Sequence, residues 1–128
     1  MVSKKFAVFF IIVVAAFFYV KYILTSGAFL AFLDSHKQYK LVRFLQYQIG
    51  NIYYLKSEYK NVIKQYEKFR SFYPISPYDK KIDYKVASSY EFLMKKDKAK
   101  TLYREYLNKY PDTPKKNLII KKLQILEN

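Results

Sequence analysis

The sequence predicts an all-α protein in which an N-terminal transmembrane helix is followed by a solenoid of antiparallel helix pairs. Three observations predict this architecture. Residues 6–20 form an unbroken apolar run. Beyond Asp34, apolar residues recur at three-to-four spacing between lysines, which is the period of amphipathic helices. Short proline-containing segments separate these predicted helices at a constant interval. Of the 128 residues, those after the apolar run are enough for one modest domain.

The N-terminal apolar segment favours a single-pass membrane anchor over residues 1–24. Residues 6–24 are apolar except for Lys21, and about 20 such residues span a hydrocarbon core as a helix. Lys21 lies near one end, where its stem can reach the headgroups. A cleaved secretory signal has the same basic start, with small residues at 26–28 as a cleavage site, and stays an alternative. A buried core helix is less favoured because the run has no polar face.

A repeat of 37 residues organises the rest of the chain. Residues 73–77 (YPISP) recur as residues 110–114 (YPDTP), and the same offset pairs Gly50 with Ala87 and Tyr66 with Tyr103. The chain therefore divides into a connecting segment at 25–37 and a repeat domain at 38–128. The two repeats occupy about 43–76 and 80–113.

Periodicity and punctuation place five helices in this domain, at about 38–56, 59–72, 78–94, 97–109 and 115–126. Pro74 ends the second helix, because the residue before a proline is pushed out of helical geometry. Ser76 caps the third helix, with Pro77 at its first position. The last helix has an apolar stripe and basic flanks, as expected of a cap that solvates the end of the stack.

Two repeats are fewer than the three that such stacks usually need. Phe29 and Phe32 lie 37 positions before Tyr66 and Phe69, which suggests a degenerate preceding helix within residues 25–37. The deficit can also be met by the capping helix, by a partner, or by self-association through repeat stacking.

Within each repeat, an apolar-small pair is followed at fixed spacing by an aromatic, a small or apolar residue, two more aromatics and a proline. These are Ile49, Gly50, Tyr53, Val62, Tyr66, Phe69 and Pro74, then Val86, Ala87, Tyr90, Ala99, Tyr103, Tyr106 and Pro111. This pattern resembles the tetratricopeptide repeat over about 43–126, in a form three residues longer than the usual 34. It is similar to the longer repeats of bacterial envelope proteins such as the Tol-Pal coordinator and the β-barrel assembly lipoprotein.

The resemblance implies a scaffold that binds other proteins, which would be envelope-complex subunits and include acidic ones. The candidate systems are outer-membrane assembly, division with Tol-Pal, and the periplasmic flagellar motor. The resemblance also implies a periplasmic domain, anchored in the inner membrane or secreted if the segment is cleaved.

The inner faces of the first helices of the repeats line a peptide groove in this class. Carried over by position, the lining is Phe44, Tyr47, Asn51, Tyr54, Leu55, Lys81, Tyr84, Lys85, Ser88, Glu91 and Phe92. Asn51, Lys81 and Lys85 occupy positions of the carboxylate clamp found in some members, although Tyr47 replaces one clamp lysine. The alternative is that part of this set packs against the membrane-proximal segment.

The composition argues against an enzyme active site or a metal site. The chain has no cysteine and one histidine, and it shows no paired carboxylates, Gly-rich phosphate loop or metal motif. We therefore expect no enzyme, cofactor, catalytic residue or metal site. Residues 34–128 hold 21 basic and 10 acidic side chains, so the alternative function is a basic peripheral domain that binds anionic lipid or nucleic acid. Nucleic acid is the less favoured ligand because the lysines are dispersed and no nucleic-acid motif accompanies them.

Overall fold

The computed structural model describes residues 3–128, which form seven α-helices and no strand. The helices are α1 Lys4–Thr25, α2 Ala28–Ser35, α3 Lys40–Leu55, α4 Tyr59–Phe72, α5 Asp79–Phe92, α6 Lys96–Lys109 and α7 Lys116–Glu127. The predicted all-α class is confirmed. The five helices predicted for the repeat domain lie within about two residues of these bounds, which is the usual uncertainty of helix ends. The chain divides into two compact units, Met1–Val42 and Arg43–Asn128.

The N-terminal unit contains α1 and α2. The Ser3 side chain caps α1 by accepting a hydrogen bond from the Phe6 amide at 3.2 Å. With 22 residues α1 is about 33 Å long, and none of its side chains is buried. It is long and apolar enough to cross a membrane, and a signal sequence has the same properties. Gly27 separates the two helices at φ 77°, a left-handed conformation that favours glycine.

The second unit repeats one helix pair with the predicted period. Helices α4 and α6 begin and end 37 positions apart, and α5 and α7 begin 37 positions apart. Successive helices from α4 to α7 pack against one another. The turn before α5 is fixed by Ser76, whose hydroxyl accepts from the Tyr78 amide at 3.2 Å and donates to Asp79 at 2.9 Å. Asp79 in turn accepts from the Ser76 amide at 3.0 Å. Helix α5 begins at Asp79 with Tyr78 as its N-cap and no side-chain cap, so the prediction that Ser76 caps the helix with Pro77 at its first position is wrong, and the Ser76–Asp79 bonds fix the turn before the helix instead.

Two buried clusters form the core of this unit, one for each repeat. The first contains Tyr47, Val62, Tyr66, Phe69 and Ile82, and the second contains Ala87, Ala99, Tyr103, Tyr106 and Ile119. Four members of the second cluster lie 37 positions after four members of the first. The aromatic residues of the repeat are therefore core residues, and α7 supplies to the second cluster what α5 supplies to the first.

Gly50 permits a close approach of α3 and α4. A Cβ atom at this position would lie 2.2 Å from Cε1 of Tyr66, and the side chain of Tyr66 is fully buried. In the second repeat the same position is Ala87. The small residue predicted here is therefore required by the packing of the first repeat, where no side chain fits beneath the Tyr66 ring.

Asp83 connects three helices. Its carboxylate pairs with Arg70 of α4, accepts a hydrogen bond from the Tyr110 hydroxyl at 2.9 Å, and lies 3.4 Å from the Lys109 ammonium. Because Asp83 is largely shielded from solvent, these contacts are worth more than those of an exposed ion pair. They join α4 of the first repeat to α5 and the C-terminal end of α6 in the second.

The outer face of α7 is mixed. Lys121, Gln124 and Glu127 are exposed at the positions that Tyr84, Ala87 and Tyr90 occupy in α5, where these residues pack against the next helix. Leu118 and Ile125 are also exposed on α7. The polar residues at the three packing positions are a feature expected of a cap.

Candidate peptide-binding groove

A groove of about 840 Å³ lies within the second unit, between α3, α5 and the segment that leads into α7. Its lining combines tyrosines, lysines and two side-chain amides. The lining residues are Tyr47, Gln48, Asn51, Tyr54, Lys80, Lys81, Tyr84, Lys85, Tyr106, Thr113, Pro114 and Lys115.

Six of the eleven residues predicted from the sequence line this groove. They are Tyr47, Asn51, Tyr54, Lys81, Tyr84 and Lys85. The resemblance to the repeat class gave these residues by position on the first helices, and the tertiary structure brings the two helix faces together. Whether this surface binds a peptide stays a prediction.

The other five predicted residues lie outside the groove. Ser88 is buried and bonds the Tyr54 hydroxyl at 3.0 Å, so it supports a groove residue from beneath. Glu91 turns toward the second core, where it accepts from the Tyr103 hydroxyl and pairs with Lys122 at 3.0 Å. Leu55 and Phe92 are the last residues of α3 and α5.

Phe44, the fifth of these residues, lies one turn before the groove residue Gln48 and is partly exposed. The predicted set thus extends beyond the lining of this cavity along both helices, and its role in binding stays a prediction.

Asn51 organises the centre of the groove. Its carbonyl oxygen Oδ1 accepts from both the Tyr66 hydroxyl and the Lys85 ammonium at 2.5 Å, and its Nδ2 donates to Gln48 at 2.8 Å. Each end of the amide therefore has a partner within the protein, and the bond to Gln48 uses one of the two N–H donors on Nδ2. Asn51 positions Lys85, and the carboxylate clamp stays a prediction.

Aromatic rings surround the lysines. The Lys85 ammonium lies 5.8 Å from the ring centre of Tyr47 and 5.5 Å from that of Tyr54. The Lys115 ammonium lies 4.4 Å from the ring centre of Tyr84. These cation–π contacts hold the ammonium groups at the groove wall while leaving hydrogen-bond donors for a ligand.

The groove carries an unbalanced positive charge. None of its lining residues is acidic, whereas four of them are lysines. Burial lowers the pKa of Lys85, and the charges of Lys81 and Lys115 lower it further. The lowered pKa means that the charged form of Lys85 is less favourable in the empty groove than in water, so an anion placed beside it would stabilise the charge.

The geometry of α5, α6 and the proline turn agrees with a known repeat family. Residues 83–113 match the family model of the tetratricopeptide repeat. This segment is a tetratricopeptide-type repeat. The helices α3 and α4 copy it 37 positions earlier, although the match itself covers the second copy. A search of the curated proteins finds no match to this chain.

Sequence reasoning missed the contribution of the second proline turn. Thr113 and Pro114 were assigned to capping, and Lys115 was assigned to the start of the last helix, yet all three line the groove. Their repeat position gave a signal, because the segment before α7 corresponds to the segment before α5. The prediction considered only α3 and α5, the first helices of the two repeats. It did not extend the groove to the segment before α7.

Proposed function

We propose that this protein is a membrane-anchored scaffold that holds a segment of a partner protein in the tyrosine–lysine groove, within a bacterial cell-envelope complex. Tetratricopeptide-type repeats typically mediate protein–protein interactions, and fold alone does not name the partner. The observation that carries the proposal is the groove, where three lysines converge among tyrosine rings with no carboxylate in the lining.

The chemistry of the groove favours an extended, anionic peptide. Carboxylates of such a peptide would pair with Lys81, Lys85 and Lys115, and its apolar or aromatic side chains would pack on Tyr47 and Tyr84. Because Lys85 is already held by Asn51, little side-chain entropy is lost when a ligand binds. Electrostatic attraction would also speed the encounter with an acidic partner.

The apolar helix α1 would hold the scaffold at the inner membrane with the repeat domain in the periplasm. The support for the anchor is the length and apolar composition of α1, which begins with two lysines, and the support for a periplasmic domain is the resemblance to envelope proteins. An intact-mass measurement of the purified membrane fraction tests the anchor. A mass equal to the full chain is expected, and a mass that lacks the first 24 or more residues would establish cleavage instead.

A site-specific crosslinking experiment tests the groove. A photoreactive amino acid at Gln48, inside the groove, is expected to capture an envelope protein in native membranes. The Lys81→Glu/Lys85→Glu variant should abolish that capture. The Lys64→Glu/Lys121→Glu variant changes the same number of lysines outside the groove lining and should leave it intact.

The opposite result is equally clear. If both double variants retain the same crosslinked partner, the groove lysines do not recognise it, and the partner binds elsewhere on the domain. If both lose it equally, net charge rather than the groove governs association.

A further inference from the structure

Two turns of the repeat domain lie side by side at one edge. The first joins α3 to α4 and the second joins α5 to α6, 37 positions later. They touch directly, since the ring of Tyr59 stacks on that of Phe92 with 4.5 Å between centres. We call residues 55–60 and 92–98 together the turn edge.

The two turns have the same rigid backbone. In the first, the Glu58 amide bonds the Tyr53 carbonyl at 2.9 Å, and in the second the Lys95 amide bonds the Tyr90 carbonyl at 3.0 Å. This pattern ends a helix with one left-handed residue, usually glycine. Here that residue is Ser57 in the first turn and Met94 in the second, with φ 59° and 60°.

Met94 is an unusual choice for this conformation. A left-handed backbone is disfavoured for any residue with a Cβ atom, and glycine or asparagine would relieve it. The side chain of Met94 does not repay the strain by packing, because 72% of it is exposed. A strained position that displays an apolar side chain to solvent points to a function outside the domain.

The rest of the turn edge combines exposed apolar residues with lysines that surround them. Leu55 and Phe92 are 82% and 54% exposed. Five exposed lysines flank these residues, and they are Lys56, Lys60, Lys95, Lys96 and Lys98. The edge carries two carboxylates, on Glu58 and Asp97, which pair with Lys56 and Lys100.

The opposite edge of the domain differs in charge. It consists of the two proline turns, residues 73–79 and 110–116, which hold two aspartates and two lysines. The 14 residues of α4 separate the two edges by about 21 Å. Ile75 is 88% exposed on the opposite edge and therefore provides an internal comparison with Met94.

We propose that the turn edge docks onto a membrane surface that contains anionic lipid, with Leu55, Phe92 and Met94 entering the headgroup layer. Lys60, Lys95, Lys96 and Lys98 would pair with lipid phosphates while their stems cover the apolar residues, and Lys56 keeps its Glu58 partner. The inference rests on the proposed membrane anchor, because tethering by α1 keeps the domain at high local concentration beside the bilayer. Docking would stand the repeat helices upright and leave the groove open to a partner from the side.

The connecting chain is long enough to permit this orientation. If α3 stands upright with Leu55 at the membrane, its first residue lies about 24 Å away from the surface. Residues 26–39 can span about 32 Å, of which the eight residues of α2 supply about 12 Å. The tether therefore reaches without unwinding α2 or α3.

The test exploits the absence of tryptophan from the chain. Single-tryptophan variants of the full-length protein are placed in vesicles of phosphatidylcholine with or without phosphatidylglycerol. Met94→Trp reports the turn edge, Ile75→Trp reports the opposite edge, and Phe17→Trp reports α1. The readouts are the emission maximum and quenching by lipids with brominated acyl chains.

We expect a blue-shifted, lipid-quenched emission from Met94→Trp in vesicles that contain phosphatidylglycerol, and not from Ile75→Trp. Adding Lys95→Glu/Lys96→Glu/Lys98→Glu to the Met94→Trp variant should remove both signals. The matched change Lys64→Glu/Lys116→Glu/Lys121→Glu alters the same net charge away from the turn edge and should preserve them.

Each other outcome overturns the proposal in a different way. Quenching of Phe17→Trp without quenching of Met94→Trp shows an inserted anchor with an undocked domain. A blue shift of Met94→Trp without lipid quenching shows that a protein, such as a second copy of this chain, covers the edge. If neither variant is quenched by lipid, α1 does not insert and the membrane anchor is refuted together with the docking. Peptide binding in the groove is tested separately by the crosslinking experiment.

Discussion

Replacing Gly50 with alanine tests the closest contact in the repeat core. Gly50 lies inside α3, where alanine is intrinsically the better helix former by about 1 kcal/mol. Propensity alone therefore predicts that Gly50→Ala stabilises the domain. The structure predicts the reverse, since the added methyl group would lie 2.2 Å from the Tyr66 ring.

The size of the expected destabilisation depends on whether the Tyr66 ring can move away from the added methyl group. The Tyr66 side chain is fully buried and its hydroxyl bonds Asn51, so the ring cannot rotate into solvent. Overpacking of this kind costs about 1–3 kcal/mol, and loss of the hydroxyl's hydrogen bond costs about 1 kcal/mol more. After subtracting the gain in propensity, we expect Gly50→Ala to lower the free energy of unfolding by about 1–3 kcal/mol. For a domain of this size each kcal/mol corresponds to a fall in Tm of about 4–8 °C.

The assay is thermal and urea unfolding of the full chain in detergent micelles, followed by far-UV circular dichroism. Ala87→Gly, at the equivalent position of the second repeat, should also destabilise, because there the native methyl group fits and propensity is lost. The Gly50→Ala/Tyr66→Leu double variant should be more stable than the sum of its single variants predicts, because leucine removes the ring that clashes. A Gly50→Ala protein as stable as the native one, or more stable, would refute the packing argument.

Three further predictions concern charge and ionisation. Asp83→Asn should lower the free energy of unfolding by about 1–3 kcal/mol in a urea titration, because it leaves Arg70 without its carboxylate; no loss at low salt would contradict this. Burial and Glu91 raise the pKa of Tyr103 above its ordinary value of about 10, so its contribution to stability is complete below pH 10 and is lost as the pH rises further. Tyr103→Phe should therefore weaken the fall in Tm between pH 10 and 12, and an unchanged fall would show that other groups cause it. Because the pKa of Lys85 is lowered, affinity for an acidic peptide should decline with rising pH below 10.5, and Lys85→Arg should abolish that decline in a fluorescence-polarisation titration.

Much of the fold was predictable because it is local and periodic. The 37-residue offset, the prolines at 74 and 111 and the three-to-four spacing of apolar residues specify helices and their ends without reference to the rest of the chain. The same offset identified Tyr66, Phe69, Tyr103 and Tyr106 as core residues, and all four are buried. For α1, composition and length are sufficient to predict a long apolar helix, because the run has no polar face.

The groove was predictable only in part. The resemblance to the repeat class gave Tyr47, Asn51, Lys81 and Lys85 by position, and these residues line the groove. How far the groove extends depends on where a third helix comes to lie, so Lys115 was found only in the structure. The sequence also gave no sign that both ends of the Asn51 amide are occupied, since one of its partners, Tyr66, lies on another helix.

The sequence by itself determined the class of this protein: an apolar helix followed by tandem helix pairs with small and aromatic residues in fixed positions. The tertiary structure decided which charges are compensated. Asp83 and Glu91 are neutralised by residues from neighbouring helices, whereas Lys81, Lys85 and Lys115 meet in a groove without an acid. The physical reason is distance, because charges separated by about 30 positions in the chain interact only once helix packing brings them within a few ångströms.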